Sequence, residues 1–76
     1  MDRRDFVAWV ADTVVLPHDA VTEASSLSDI GWDSLASIAL TVLAEEQWGI
    51  VVGEDDLAEV QTVGDLAGKF SNQLTG

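Results

Sequence analysis

Apolar residues recur at helical spacing in separate stretches of this chain, and this periodicity limits the fold more than any other feature. The clearest case is one helical face near the carboxyl end, made of Val63, Leu66, Ala67, Phe70 and Leu74. Such a face lets a helix bury one side against a core. Thr62 precedes Asp65 by three residues, the capping pattern that opens a helix. We therefore predict a helix from residue 62 to 74.

A first helix is predicted over residues 2 to 15, where Phe6, Val10 and Val14 lie on one face. Pro17 marks its end, since a proline disfavours helical geometry in the preceding residue. Residues 18 to 32 show no clear period and predict a long loop. The residues expected to hold this loop against the bundle are Val21, Leu27 and Ile30.

The second helix is predicted from Asp33 to about Trp48, with Gly49 as its stop, because glycine adopts the left-handed conformation at low cost. It is apolar around much of its circumference: Leu35, Ile38 and Val42 share one face, flanked by Leu40 and Leu43. Part of this surface must therefore meet several neighbours or a ligand. Residues 50 to 52 read as an extended connector, and 54 to 60 as a short third helix with an acidic first turn.

Together these elements predict an all-α fold: a small four-helix bundle with three longer helices, one short third helix, and a long loop between helices one and two. The 76 residues are enough for one domain, 1–76, with a small core and no large enclosed active site. Six glycines and one proline argue against both disorder and a turn-rich β protein.

Charge and composition exclude several classes of function. Three basic against fourteen acidic residues give a formal net charge of −11, which repels nucleic acids and anionic lipids and favours basic protein partners. With no cysteine and only His18 as an imidazole, we expect no metal site. No apolar run approaches the roughly 20 residues of a membrane span. We expect a cytoplasmic monomer that does not insert into membranes.

Asp33 and Ser34 form the most informative motif. Asp33 is a good helix cap, because its carboxylate accepts hydrogen bonds from the free amides that open a helix. Ser34 then occupies about the first helical position. A phosphate ester on Ser34 would face those amides and the positive end of the helix dipole.

The string Gly31-Trp32-Asp33-Ser34-Leu35 resembles the signature of the acyl and peptidyl carrier proteins, and the order of helices matches that family over essentially the whole chain. The resemblance implies that Ser34 carries a covalent 4'-phosphopantetheine arm from coenzyme A, which holds acyl or aminoacyl cargo as a thioester. It implies that Asp33 also assists the phosphopantetheinyl transferase. It further implies a carrier rather than an enzyme.

By the same resemblance, the second helix docks on partner enzymes through Leu35, Ala36, Ala39, Glu45 and Glu46. Fatty acid synthase carriers have acidic residues early in this helix, whereas Ala36 and Ala39 stand there in this chain. This departure favours polyketide, nonribosomal peptide or another specialised pathway, including antibiotic biosynthesis. The expected partners are the transferase and acyl-loading and acyl-using synthases with basic or apolar docking surfaces. Glu45 and Glu46 could equally be a solvated helix face.

Four residues occupy positions that line an acyl-chain cleft in some carriers: Leu40, Leu57, Val60 and Leu66. Ordinary core packing is the better interpretation of these four. For Trp32, packing against the bundle is favoured over contact with the arm or a partner.

Three other functions stay open. They are a carrier for primary fatty acid synthesis, an acidic helical interaction module without a cofactor, and an enzyme that uses Ser34 as a nucleophile with His18 as its base.

Overall fold

The computed structural model describes residues 1–74 and contains four α-helices: α1 (Arg3–Thr13), α2 (Ser34–Trp48), α3 (Glu54–Ala58) and α4 (Val63–Lys69). A single 3₁₀ turn, His18–Ala20, lies in the loop between α1 and α2. Within the described range no strand forms, and Ser26 and Thr62 make an isolated antiparallel bridge. The predicted all-α fold, with its short third helix and long first loop, is confirmed.

Capping side chains set the helix starts. The Asp2 carboxylate accepts a hydrogen bond from the Asp5 amide at 2.7 Å and opens α1. Thr62 and Asp65 make the predicted reciprocal capping box at α4, with Asp65 N 3.1 Å from Thr62 Oγ1 and Thr62 N 3.3 Å from Asp65 Oδ2. Gly49 ends α2 in the left-handed conformation (φ 66°), as predicted. Caps are local, which explains why the sequence reveals them.

Two helices are shorter than predicted, whereas α3, which ends at Ala58, is a short helix of between one and two turns, as expected. The helix α1 ends at Thr13, before Pro17. The helix α4 ends at Lys69, although its apolar face continues to Leu74. Beyond Lys69 the chain continues in tighter turns, in which Gln73 N donates to Phe70 O at 2.8 Å. Such turns at a helix end keep the apolar side chains on the core side.

The core joins all the major segments. Its centre is formed by residues without solvent exposure: Phe6, Val10, Leu40, Val63 and Leu66. The predicted loop anchors Val21, Leu27 and Ile30 are also buried, at 3%, 7% and 8% exposure. The ring of Phe70 packs 6.1 Å from Phe6 and 5.1 Å from Trp48, measured between ring centroids. Aromatic packing thus connects α1 to α4 and to the end of α2.

The long loop is held in place by main-chain hydrogen bonds to the start of α4. Leu27 N donates to Gln61 O at 2.9 Å, Val63 N donates to Ser25 O at 3.0 Å, and Gly64 N donates to Glu23 O at 2.7 Å. The Arg3 guanidinium binds the Glu23 carboxylate and lowers its pKa by hydrogen bonding. These contacts fix the loop although it contains little regular structure.

Within residues 1–74, no helix combines the length and the apolar character that a bilayer crossing requires.

Candidate functional site

A glycine turn leads directly into α2. Gly31 has φ +79°, a conformation that glycine adopts at low cost. Trp32 N donates to Leu27 O at 3.0 Å, so the turn is attached to the anchored part of the loop. Asp33 follows with extended backbone, and its Oδ1 accepts a hydrogen bond from Ala36 N at 3.0 Å. The predicted cap is therefore present.

Ser34 is the first residue of α2 and its side chain is exposed. Because Asp33 already caps the helix, no hydrogen bond within residues 1–74 engages the Ser34 hydroxyl. Within the first turn of α2 no residue is acidic, so the Asp33 carboxylate at the cap is the nearest negative charge to the positive end of the helix dipole. The site therefore offers a free hydroxyl in a position that favours an attached anion.

Trp32 packs on the bundle, in agreement with the interpretation favoured from sequence. Its ring meets that of Trp9 edge to face, with centroids 6.4 Å apart. Its indole Nε1 donates to Ser37 Oγ at 3.0 Å. Trp32 thus connects α1, the glycine turn and the first turn of α2.

An open cleft of about 510 Å³ lies between α2 and the connector with α3. Its lining consists of Ser34, Ser37, Ile38, Thr41, Val42, Val52, Leu57 and Ala58. Apart from the three hydroxyl residues the wall is aliphatic. Ser34 therefore belongs to the lining of a cleft whose surface is largely apolar.

Of the four residues predicted for the cleft, only Leu57 belongs to its lining. Leu40 and Leu66 are fully buried in the core, and Val60 is half-buried against it. The sequence signal that identifies the actual wall is spacing from Ser34. Residues three, four, seven and eight positions further along a helix share its face, and these are Ser37, Ile38, Thr41 and Val42.

The predicted docking residues separate into two groups. Leu35 (74% exposed), Glu45 and Glu46 are exposed, and Ala39 is half-exposed. Ala36 is only 5% exposed, so its assignment to the surface was wrong. It lies four and eight residues before Leu40 and Ala44, and these three form the buried face of α2.

Ile38 and Val42, which were not predicted to dock, are 59% and 48% exposed. Together with Leu35 they form an apolar ridge on α2, called here the α2 ridge. It has no covering segment within the described part of the chain.

The structure gives no support to a serine enzyme. His18 Nε2 lies 2.7 Å from Asp12 Oδ1, in an exposed pair between the 3₁₀ turn and α1. His18 lines a second hollow with Arg4, Val7 and Val21, and Ser34 is not part of that hollow. The proposed base and nucleophile are therefore not brought together.

Comparison with known proteins agrees with this geometry. Residues 5–70 match the model of the phosphopantetheine attachment site family. The meromycolate extension acyl carrier proteins of Mycolicibacterium aurum and Mycobacterium leprae are each 28% identical over 69 residues, which is 84% of this chain. The match covers 71% of the first protein and 60% of the second. The chain therefore belongs to the phosphopantetheine attachment site family of acyl and peptidyl carrier proteins, whose members are carriers rather than enzymes and bear a covalent 4'-phosphopantetheine.

Proposed function

We propose that the chain carries acyl or aminoacyl intermediates as thioesters on a 4'-phosphopantetheine arm attached to Ser34. The pathway that we favour is a specialised one, such as polyketide or nonribosomal peptide assembly. In this proposal residues 1–76 act as a single monomeric carrier domain in the cytoplasm.

The observation that carries the proposal is the pairing of Asp33 and Ser34. Asp33 satisfies the Ala36 amide, and this leaves the exposed Ser34 hydroxyl free for transfer of a phosphate group. The residues present fit the arm, because the hydroxyl stands at the positive end of a 15-residue helix and in the lining of the cleft.

When bound, the arm supplies a thiol that holds cargo as an activated thioester. The contribution of the protein is attachment and presentation. Tethering raises the effective concentration of cargo at each enzyme that docks the carrier. Asp33 would keep the attachment helix intact and help the transferase recognise it.

Membership of the family implies interaction with a phosphopantetheinyl transferase and with synthase enzymes. We propose that these partners dock on the α2 ridge and the neighbouring Ala39, with Glu45 and Glu46 at the far end of this surface. From Ser34 to Ala44 the helix carries no charge. A partner surface with an apolar centre and a basic edge would match this pattern.

A second candidate is a carrier for fatty acyl extension. It is favoured by the two relatives, which are named as acyl carriers of meromycolate extension, and by the apolar wall of the cleft beside Ser34. Incubation of the protein that bears the arm with malonyl-transferring and aminoacyl-loading enzymes, followed by intact mass, would separate a carrier of malonyl-derived acyl groups from a carrier of aminoacyl groups.

The attachment site is tested by incubation with coenzyme A and a broad-specificity phosphopantetheinyl transferase. We expect the intact mass to increase by one arm in the unaltered protein and not in Ser34→Ala. The matched control is Ser37→Ala, which removes a neighbouring hydroxyl from the same helix face and should still accept the arm. A mass gain that persists in Ser34→Ala would refute the assignment.

A further inference from the structure

Trp32 and Ser37 are joined across the first turn of α2. The indole Nε1 lies 3.0 Å from Ser37 Oγ. Trp32 directly precedes the cap Asp33, and Ser37 is the fourth helical residue. At these two positions many helices place an apolar pair that fixes the angle at which the chain enters the helix. In this protein a hydrogen bond joins the two positions instead, and Ser34 lies between Trp32 and Ser37 in the sequence.

The direction of this hydrogen bond leaves one proton unused. An indole nitrogen can only donate, so Ser37 Oγ is the acceptor and its own O–H remains available. The nearby Thr41 hydroxyl is already used, because it donates to Ser37 O at 2.8 Å. Within residues 1–74, Trp32 is the only hydrogen-bond partner of Ser37 Oγ. The Ser37 hydroxyl is thus held in position by Trp32, and its own proton has no hydrogen-bond acceptor among the described residues.

Ser37 stands in the cleft wall beside Ser34. Residues three apart on a helix have Cβ atoms about 5–6 Å apart, so an arm on Ser34 begins within reach of Ser37. The aliphatic residues of the wall, such as Ile38, Val52 and Leu57, offer the arm no side-chain hydrogen bond. A phosphopantetheine arm has oxygen acceptors in its phosphate and its amide carbonyls.

We propose that Ser37, held by Trp32, is a positioning residue that donates a hydrogen bond to an oxygen atom of the arm. The inference rests on the proposed attachment of the arm at Ser34. Its consequence is that the first part of the arm lies along the cleft instead of moving freely in solvent. Trp32 acts on the arm through Ser37 and also by packing on Trp9.

The test uses the complete protein loaded with an isotope-labelled arm from labelled coenzyme A. NMR would record Overhauser contacts between the arm and the methyl groups of Ile38 and Leu57, the arm amide and phosphorus shifts, and the Trp32 indole resonance. In Ser37→Ala we expect the ratio of docked to free arm to fall about fivefold, the effect of one hydrogen bond. Ser37→Thr restores the hydroxyl and should restore the contacts.

Two further variants distinguish a positioning role of Ser37 from a general loss of structure. Thr13→Val removes a threonine hydroxyl that is likewise used within its own helix, where it donates to Trp9 O, but lies outside the cleft lining, so the arm should be unaffected. Trp32→Phe keeps an aromatic ring beside Trp9 but removes the indole donor, so it should weaken the arm contacts while intact mass still shows loading. Alanine is a strong helix former, so Ser37→Ala should fold.

The outcomes are distinct. A loss of arm contacts with a changed phosphorus shift identifies the phosphate as acceptor, and a loss with a changed amide shift identifies a carbonyl; both support the proposal. Identical arm contacts in the unaltered protein and Ser37→Ala, with normal loading of both, would overturn this inference alone. Failure of Ser34 to accept the arm would overturn the proposed function and this inference with it.

Discussion

Gly64 lies where two segments approach more closely than a side chain permits. Its amide donates to Glu23 O at 2.7 Å, and a Cβ atom added to Gly64 would lie 2.9 Å from that same backbone oxygen. We expect Gly64→Ala to lower the stability by about 1–2 kcal/mol, because relieving the contact must move the loop away from α4. For a domain of this size the melting temperature should fall by about 5 °C or more, measurable by circular dichroism.

Gly68 provides the matched control, because it lies on the same helix and an added Cβ meets no atom within 4 Å. Gly68→Ala should raise the melting temperature, since alanine favours a helix interior by up to about 1 kcal/mol over glycine. If both variants were stabilised, the close approach of Glu23 to Gly64 would not hold in solution.

At the residue scale, the sequence predicts what depends on its immediate neighbours. Asp33, Gly49 and Thr62 were identified as caps because each acts within one helical turn. The role of Gly64 was not predictable, since Glu23 lies about forty residues away and nothing local marks the contact. The hydrogen bond between Trp32 and Ser37 also needed the structure, because it depends on which way the indole turns.

At the scale of elements, α2 shows why an apolar pattern alone does not identify the buried side. The helix has apolar residues on nearly every face, and the small residues Ala36 and Ala44 flank Leu40 on the face that packs into the core. The larger Leu35, Ile38 and Val42 remain outside. The size of the side chains decides which face of α2 is buried, because the small alanines let the helix approach the core closely. Periodicity alone does not reveal this.

The α2 ridge gives a prediction about partner enzymes. Leu35→Glu should slow transfer of cargo from a cognate loading enzyme several-fold, because it places a charge at the apolar centre of the proposed docking surface. Stability should hardly change, since Leu35 is 74% exposed. The measurement is the loading rate at subsaturating carrier concentration, followed by intact mass.

Val51→Glu is the control for this experiment. Val51 is 82% exposed but lies in the connector after α2, outside the ridge. Equal slowing in both variants would point to long-range repulsion by the added charge, and it would contradict a docking role for the ridge.

At the scale of the whole molecule, the charge of the chain opposes its own folding. The chain has fourteen acidic but only three basic side chains, and a net charge far from zero destabilises a compact state. We expect the melting temperature to rise between about 0.01 M and about 1 M sodium chloride, as the screening length falls from about 30 Å to about 3 Å. Scanning calorimetry at fixed pH measures this.

The exposed Arg4 allows a test of whether added net negative charge lowers the stability of the fold. Arg4→Gln removes a positive charge and should lower the melting temperature at low salt, with a smaller effect at high salt. A melting temperature that falls as salt is added would show that ion pairs such as Arg3 with Glu23 outweigh the general repulsion.

The bond from Leu27 N to Gln61 O has a consequence for the order of events during protein synthesis. Leu27 also accepts the hydrogen bond from Trp32 N that shapes the turn before Ser34. The turn therefore depends on a hydrogen bond to Gln61, a residue that the ribosome adds almost thirty positions after Ser34. While the chain is still on the ribosome, Ser34 is exposed well before its surroundings can take their final form. A transferase that reads the shape of this turn would thus modify only chains that have been made beyond Gln61.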